Sequence, residues 1–150
     1  MPLTQSDTYQ ITWLVRRLFF ALSQKSDERL AEAGITGAGR AVMEFLYPDE
    51  ALSVPEMAKR YQVSRQHIQV TVNGLLELGL VVTRDNPRHK RSFLIALNRK
   101  GRNLFAEILA EDKRQIEELF ADIPGPDVQA TRRTLEALYA RLGAGERMIS

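Results

Sequence analysis

The sequence contains no cysteine, and it has only two histidines and one tryptophan among its 150 residues. Without cysteine the chain has no disulfide, no thiolate metal ligand and no thiol nucleophile. No apolar run approaches the roughly 18 residues that a membrane-spanning helix needs, and the first residues lack the pattern of a signal peptide. We therefore expect a cytoplasmic chain without membrane contact, metal or cofactor.

Catalytic motifs are also missing. The two histidines, His67 and His89, lie 22 positions apart. No glycine-rich phosphate loop, no cluster of residues at metal-ligand spacing and no Ser-His-Asp arrangement accompanies them. We therefore expect that the chain is not an enzyme. For His67 a solvated position on a helix is the simplest interpretation, and a phosphate or base contact is the alternative.

The charged residues are distributed unevenly along the chain. Hydrophobic residues make up 44% and charged residues 27%, which is typical of a folded globular protein. The net charge is only +2, but residues 59–102 carry ten basic and two acidic residues, so this segment has a net charge of +8 and the rest −6. A basic segment between acidic ends is typical of a nucleic-acid-binding surface, with a solvated charged loop as the alternative.

Both ends of the chain have the apolar spacing of long helices. Apolar residues recur with a helical period over residues 8–33, 104–120 and 128–142, and Gly34 and Gly143 end the first and the last of these segments. Apolar stripes of this length must be buried, and the middle of the chain is too short to cover all of them. We expect a homodimer in which the terminal helices of two chains pack together, with bundling inside one chain as the alternative.

The middle of the chain has the pattern of a helix-turn-helix. Ser53 begins a short helix with a capping box completed by Glu56, and Ser64 caps a second helix that ends at Gly79. A turn of three residues between the two helices is the spacing of this motif. Gly74 lies inside the second helix, where glycine costs about 1 kcal/mol relative to alanine. Close approach of a backbone or of DNA would explain it, and so would drift at an exposed site.

A hairpin follows the second helix directly. Two β-rich runs, 80–84 and 93–97, flank a basic loop that contains proline, and a hairpin behind a helix-turn-helix is a winged helix. Asn98 can cap the helix that comes next. The first turns of that helix carry three cations, Arg99, Lys100 and Arg102. Because positive charge there opposes the helix dipole, helix stability does not account for them. Either they contact phosphates or they occur there without a function.

The outward side of the second helix and the hairpin loop carry the candidate DNA-binding residues. Ile68, Val72 and Leu75 face inward, so the remaining positions near the start of the helix can meet base edges in a major groove. Glutamine suits adenine, arginine suits guanine or a phosphate, and valine suits a thymine methyl group, although an outward glutamine is often only solvated. The loop cations suit a narrow minor groove and its flanking phosphates. The candidates are Ser64, Arg65, Gln66, Gln69, Val70 and Asn73 in the helix, with Arg84, Arg88, Lys90 and Arg91 in the hairpin.

Three short patterns occur together in this segment: Val63-Ser64-Arg65, Leu75-x-x-x-Gly79-Leu80-Val81 and Arg91-x-x-x-x-x-Leu97-Asn98-x-x-Gly101. Many winged helices share each pattern alone. Their combination with long terminal helices resembles the MarR family (multiple-antibiotic-resistance regulators), whose order is helix, helix, short strand, helix, helix, wing, long helix and final helix. The resemblance covers essentially the whole chain.

The resemblance implies a dimeric transcription regulator, usually a repressor, that binds a pseudo-palindromic operator and is released by a small amphipathic ligand. We accordingly expect dimerisation by residues 1–35 and 99–150 and DNA binding by residues 36–98. The family's wing carries an Asp-x-Arg pair whose arginine enters the minor groove. Here Arg91 keeps the arginine position and His89 replaces the aspartate, so another group orients Arg91 or the loop relies on its total charge.

The predicted fold is mainly α with a small β-hairpin, a winged helix-turn-helix with long N- and C-terminal dimerisation helices. The expected partners are double-stranded DNA, a second copy of the chain and a small-molecule effector whose binding residues are unknown. A winged-helix protein-interaction module without DNA binding is the alternative function. The local charge of +8 argues against it, because a protein-binding module has no need of such a charge.

Overall fold

The structure is a computed structural model that describes residues 6–143. The elements over this range, in chain order, are α1 (Asp7–Glu32), α2 (Gly37–Leu46), β1 (Ala51–Ser53), α3 (Val54–Tyr61), α4 (Arg65–Glu77), β2 (Val81–Arg84), β3 (Leu94–Leu97), α5 (Arg99–Phe120) and α6 (Gly125–Arg141). The predicted fold class, a mainly α winged helix-turn-helix with long helices at both ends, is confirmed. Among the described residues no helix is both long enough and apolar enough to cross a bilayer.

The side chains predicted as helix caps form the expected hydrogen bonds. The Ser53 hydroxyl accepts from the Glu56 amide at 3.3 Å, and the Ser53 amide donates to the Glu56 carboxylate at 2.8 Å, which completes the capping box of α3. The side-chain oxygens of Ser64 and Asn98 cap α4 and α5 by accepting from the amide three residues further on, at 3.1 and 2.8 Å. Each cap fixes the residue at which its helix begins and contributes about 1 kcal/mol.

Two residues with positive φ follow the ends of the two helices of the helix-turn-helix. Gln62 has a φ of 56° and turns the chain between α3 and α4. Gly79 has a φ of 69° and ends α4, and the next amide, that of Leu80, donates back to the Leu75 carbonyl at 3.0 Å. Glycine adopts this backbone conformation without steric cost, which is why the predicted helix end lies where it does.

The sheet has three antiparallel strands in the order β1-β3-β2. Ile95 at the centre of β3 pairs with Leu52 of β1 on one side and with Thr83 of β2 on the other. The hairpin of β2 and β3 is the predicted wing. Residues 51–53 entered the prediction only through the family's element order, because three residues are too few to show the alternation of a strand.

The chain divides into two compact units, one up to Ala41 and the other from Val42 onward. The second unit contains the winged helix-turn-helix, and the apolar side chains of its elements form one core. Its buried members are Val42, Met43, Leu46, Leu52, Met57, Ala58, Ile68, Val72, Leu75, Leu80, Val81, Ile95, Ala96, Leu97 and Phe105. Because α3, α4 and the sheet share this core, the helix-turn-helix and the wing are held in a fixed relation.

The long helices leave most of their apolar side chains exposed. Those of α1 are Ile11, Leu14, Val15, Leu18, Phe19, Phe20 and Leu22. Those of the other end, in α5, α6 and the residues beside them, are Ile116, Leu119, Phe120, Ile123, Leu135, Leu138 and Leu142. The exposed fraction reaches 69% at Phe20 and 79% at Leu142. The predicted apolar stripes are present, and a single chain does not cover them.

Candidate nucleic-acid interface

Helix α4 has one buried face and one exposed face. Ile68, Val72 and Leu75 are buried as predicted, and the helix packs against α3 and β2. The other face is exposed and carries the five predicted outward residues of α4, Arg65, Gln66, Gln69, Val70 and Asn73. A helix with 13 residues and one free face can enter a groove without giving up its packing on the core.

Ser64 lies at the N-terminus of α4 and is also exposed. Its side-chain oxygen accepts from the His67 amide at 3.1 Å, so the hydroxyl hydrogen remains available to a further acceptor. The helix dipole places partial positive charge at the same end of α4. This end of the helix is therefore suited to a phosphate oxygen.

The exposed face of α4 contains one hydrogen bond between two candidate side chains. Gln69 Nε2 donates to Asn73 Oδ1 at 2.9 Å. The bond fixes which way the Gln69 amide points, and it leaves the Gln69 oxygen and the Asn73 amide free on the solvent side. Two residues that the sequence presents as separate candidates therefore form one polar unit.

The wing loop is organised by Asn86, which sequence reasoning missed. The Asn86 side-chain oxygen accepts from the Arg88 amide at 3.0 Å, and its Nδ2 donates to Ser92 Oγ at 3.4 Å. The Ser92 amide in turn donates to the His89 carbonyl at 3.3 Å. An asparagine just before proline is a common turn residue, and this was the signal in the sequence. The predicted cations Arg84, at the end of β2, and Arg88 and Lys90, in the loop, are exposed.

Arg91 lies on the part of the wing that faces α4 rather than at the outer tip of the loop. It is exposed, and within residues 6–143 no hydrogen bond or ion pair engages its guanidinium group. His89 therefore does not take over the orienting role of the family's aspartate in this structure. The sequence left two alternatives, that another group orients Arg91 or that the loop relies on its total charge. Within residues 6–143 no group orients Arg91, which favours the second alternative.

A cleft of about 380 Å³ separates α4 from the wing. Four of the ten predicted DNA-binding residues, Arg65, Gln66, Gln69 and Arg91, line it together. Its remaining lining is mostly apolar and consists of Val54, Pro55, Val72, Leu76, Thr83, Ser92, Phe93 and Ile95. The other six candidates, Ser64, Val70, Asn73, Arg84, Arg88 and Lys90, lie outside this lining. The cleft thus brings hydrogen-bonding and cationic groups of both elements to one surface.

Phe93 is a second residue that sequence reasoning missed. It follows Arg91 and Ser92 at the edge of the cleft, and 60% of its surface is exposed. The signal was the alternation along the second β-rich run, in which Phe93 and Ile95 lie on the same face. An exposed phenylalanine beside an arginine offers apolar contact to whatever the cleft binds.

The wing and α5 differ in how their charges are compensated. No ion pair between described residues neutralises Arg84, Arg88, Lys90 or Arg91. Near the end of α5, by contrast, Arg114 contacts both Glu111 and Glu118. The hydrogen bond and charge of Glu111, followed by the charge of Glu118, raise the pKa of Arg114 above its usual value. Because the wing cations are not neutralised in this way, the wing has a positive potential that can attract an anionic partner.

Residues 6–143 contain no group of three or more histidine, aspartate and glutamate side chains placed to hold a metal ion. The polar groups that the interface does present are guanidinium, amide and hydroxyl groups, which bind by charge and hydrogen bonding.

Comparison with known proteins agrees with this architecture. The model of the MarR family matches residues 33–92, which include the helix-turn-helix, β2 and most of the wing loop. An uncharacterised protein of Mycobacterium tuberculosis is 31% identical over 140 residues, which cover 93% of this chain and 92% of the relative. The chain belongs to the MarR family. The resemblance predicted from the three short patterns is thereby confirmed.

Solved structures of MarR-family proteins have the same fold. A MarR family protein from Bacillus stearothermophilus is similar with a TM-score of 0.80 and 18% identity, over 95% of this chain and 99% of that one. A MarR-family transcriptional regulator from Rhodococcus sp. RHA1 is similar with a TM-score of 0.70 and 24% identity, over 90% and 96% of the two chains. At these identities the likeness establishes the fold of a MarR-family transcription regulator.

Proposed function

We propose that this MarR-family chain is a cytoplasmic homodimer that binds a pseudo-palindromic operator in double-stranded DNA and regulates transcription. The observation that carries the proposal is the shared cleft between α4 and the wing. There Arg65, Gln66 and Gln69 of one element and Arg91 of the other are exposed at one surface. Cationic and amide side chains that have no acidic partner among residues 6–143 fit the phosphates and base edges of a duplex.

The two elements suit the two grooves of B-DNA. A major groove about 12 Å wide admits a helix, and α4 presents Gln66 and Gln69 on its free face to bind adenine edges. The adjacent wing brings Arg91 toward the neighbouring minor groove, where a narrow and negative groove attracts arginine. Ser64 and the cations Arg88 and Lys90 then contact phosphates on either side.

Dimerisation is supported by the uncovered apolar faces of the long helices. Large apolar side chains of α1, α5 and α6 are exposed in the single chain, and exposure on this scale is unfavourable in water. A second copy covers them by two-fold symmetry and places two α4 helices in successive major grooves, about 34 Å apart. In this proposal residues 1–35 and 99–150 dimerise, and residues 36–98 bind DNA.

Repression, and its release by a small-molecule effector, complete the proposal and follow from the family resemblance. An effector releases DNA only if it binds one arrangement of the two α4 helices better than the other. A reporter gene behind the selected operator tests the sign of regulation. Expression that falls when the chain is produced supports repression, and expression that rises contradicts it.

Selection of bound duplexes from a random pool tests the proposed function. We expect a two-fold symmetric consensus with half-site centres about 10–10.5 base pairs apart, because each copy contributes one α4 helix. A gel shift at low salt on random genomic fragments separates the rival protein-interaction module, which would leave every fragment unshifted. An asymmetric consensus would contradict the dimeric mode of binding and leave DNA binding itself intact.

A further inference from the structure

We infer that Lys100 is a positioning residue for α4, acting through the end of that helix rather than on the DNA backbone. The inference rests on the proposed function, and it assigns a role to the cations at the start of α5 that the sequence left open. The relevant contacts join residues 78–80, just beyond α4, to residues 98–101 at the start of α5. We refer to them as the α4–α5 junction.

Three consecutive carbonyl groups at the end of α4 accept hydrogen bonds from the first residues of α5. Lys100 Nζ donates to the carbonyl of Leu78 at 3.1 Å. Asn98 Nδ2 donates to the carbonyl of Gly79 at 2.7 Å, and the Asn98 amide donates to the carbonyl of Leu80 at 3.1 Å. Each of these bonds spans 18 or more positions of sequence, so none of them is a local turn.

Close approach of the two backbones accompanies these bonds. A Cβ atom built on Gly101 would lie far inside contact distance of the Leu80 carbonyl oxygen. Gly101 is itself buried. Only glycine therefore lets α5 begin this close to the end of α4, and the Lys100 side chain reaches the Leu78 carbonyl from this approach.

The contacts also account for cations that oppose the dipole of α5. The first turn of a helix is an unfavourable place for positive charge, but the last turn is favourable, because unpaired carbonyl groups point out of it. Lys100 belongs to the first turn of α5 in sequence and lies at the end of α4 in space. Arg102 acts in a related way, since its Nη1 donates to the carbonyl of Leu97 at 3.0 Å.

The functional consequence is that α5 sets the direction of α4. The free end of α4 carries the residues that read DNA, while the other end is bonded to the first turn of α5. A tilt at the bonded end moves the reading residues relative to the groove, and specific contacts tolerate such movement less well than phosphate contacts. Loss of the Lys100 bond is therefore expected to reduce specific binding more than non-specific binding.

The test compares three variants of the full chain on the selected operator and on a random duplex of the same length. Lys100→Met removes the hydrogen bond and the charge, Arg99→Met removes a neighbouring charge that makes no hydrogen bond within the described residues, and Lys100→Arg retains a donor. Affinities are measured over a series of salt concentrations, with circular dichroism confirming that each variant is folded at the temperature used.

We expect Lys100→Met to lower the ratio of operator affinity to random-duplex affinity about three- to tenfold, because the free energy of one hydrogen bond then no longer favours the orientation of α4 that the operator contacts require. In Arg99→Met that ratio stays within about twofold of the wild-type value. In Lys100→Arg it returns to near the wild-type value. Lys100→Met has the same slope of log affinity against log salt as the wild-type chain.

A phosphate contact would give a different result and would overturn the inference. In that case Lys100→Met weakens binding to both duplexes equally, and its salt slope falls by about 0.9 relative to the wild-type chain. Failure of Lys100→Arg to restore the ratio would also overturn it. A wild-type chain that binds no duplex refutes the proposed function and this inference with it, whereas the phosphate-contact result leaves the proposed function in place.

Discussion

The winged segment and the long helices differ in which groups a single chain leaves without a partner. The winged segment, from β1 to the start of α5, buries most of its large apolar side chains within one chain, with Val70 and Phe93 among the exceptions, but within residues 6–143 its cations have no acidic partners. The far end of α5 does the reverse, because Arg114 is paired with two glutamates while Ile116, Leu119 and Phe120 remain exposed. Each region therefore indicates its own partner, a polyanion for the first and an apolar surface for the second.

Because of this difference, substitutions in the two regions affect different properties, namely folding stability and association. The core around α4 and the sheet needs no second chain, so substitutions in it act on unfolding. The exposed stripes contribute little to the free energy of unfolding of one chain and act on association instead. Substitutions chosen from each region can therefore be tested by different measurements.

The largest effect is expected from a charge in the apolar stripe of α6. Leu138→Glu places a carboxylate in the expected contact between two copies and weakens dimerisation by about 3 kcal/mol or more, roughly 100-fold. Sedimentation equilibrium measures the dissociation constant. Gln129→Glu adds the same charge to the same helix about 180° away and leaves the dimer intact. Equal effects of the two variants would show that the stripe is not the interface.

The next effect concerns the α4–α5 junction, where the two regions meet. Gly101→Ala forces a methyl group against the Leu80 carbonyl and lowers the free energy of unfolding by about 1–3 kcal/mol. Denaturant unfolding measures this value. Gly74→Ala is the matched control, because its Cβ atom meets nothing within 4 Å and alanine stabilises a helix by about 1 kcal/mol.

Gly74→Ala also decides between the alternatives for this glycine. If DNA approaches α4 closely at Gly74, the variant is more stable and loses operator binding. If the glycine is neutral, the variant is more stable and binds as before.

A smaller effect is expected on sequence preference. Gln69→Ala changes the preference at one base pair by about 1–3 kcal/mol if Gln69 binds an adenine. Asn73→Ala changes the same base pair, because its side chain orients Gln69 through the 2.9 Å hydrogen bond. The double variant does no more than either single one. Selection with randomised operators measures all three, and Gln66→Ala is the control that alters a different base pair.

The smallest effect is expected from a single wing cation. Arg91→Ala weakens binding to all duplexes and lowers the salt slope by about 0.9, because one cation fewer lies against the duplex and binding releases about one counterion fewer. Arg132→Ala is the control from α6, where the arginine lies 3.7 Å from Glu136. We expect no change of slope in the control. An unchanged slope in Arg91→Ala would contradict contact between Arg91 and the DNA.

The sequence predicted the features that depend on neighbouring residues. The caps Ser53, Ser64 and Asn98 and the helix end at Gly79 are local signals, and the structure confirms all four. The buried face of α4 was predicted for the same reason, since helical spacing alone identifies it. The family resemblance supplied the order of elements, including a strand of three residues that the local pattern does not show.

Features that depend on distant contacts could not be predicted. The meeting of Arg91 with Gln66 and Gln69 across the cleft joins residues more than 20 positions apart, and no local pattern contains it. The bond from Lys100 to Leu78 is of the same kind. In the sequence Lys100 is one of three cations at the start of a helix, and only the fold distinguishes it from Arg99.

The central claim is that one duplex binds two copies of the chain, each through its winged segment and joined through the long helices. The most direct measurement is the mass of the complex on the selected duplex, by light scattering at low salt and micromolar concentration. The account predicts the mass of the duplex plus two chains of 17.0 kDa each. A complex with a single chain, or a duplex that remains unbound, would contradict it.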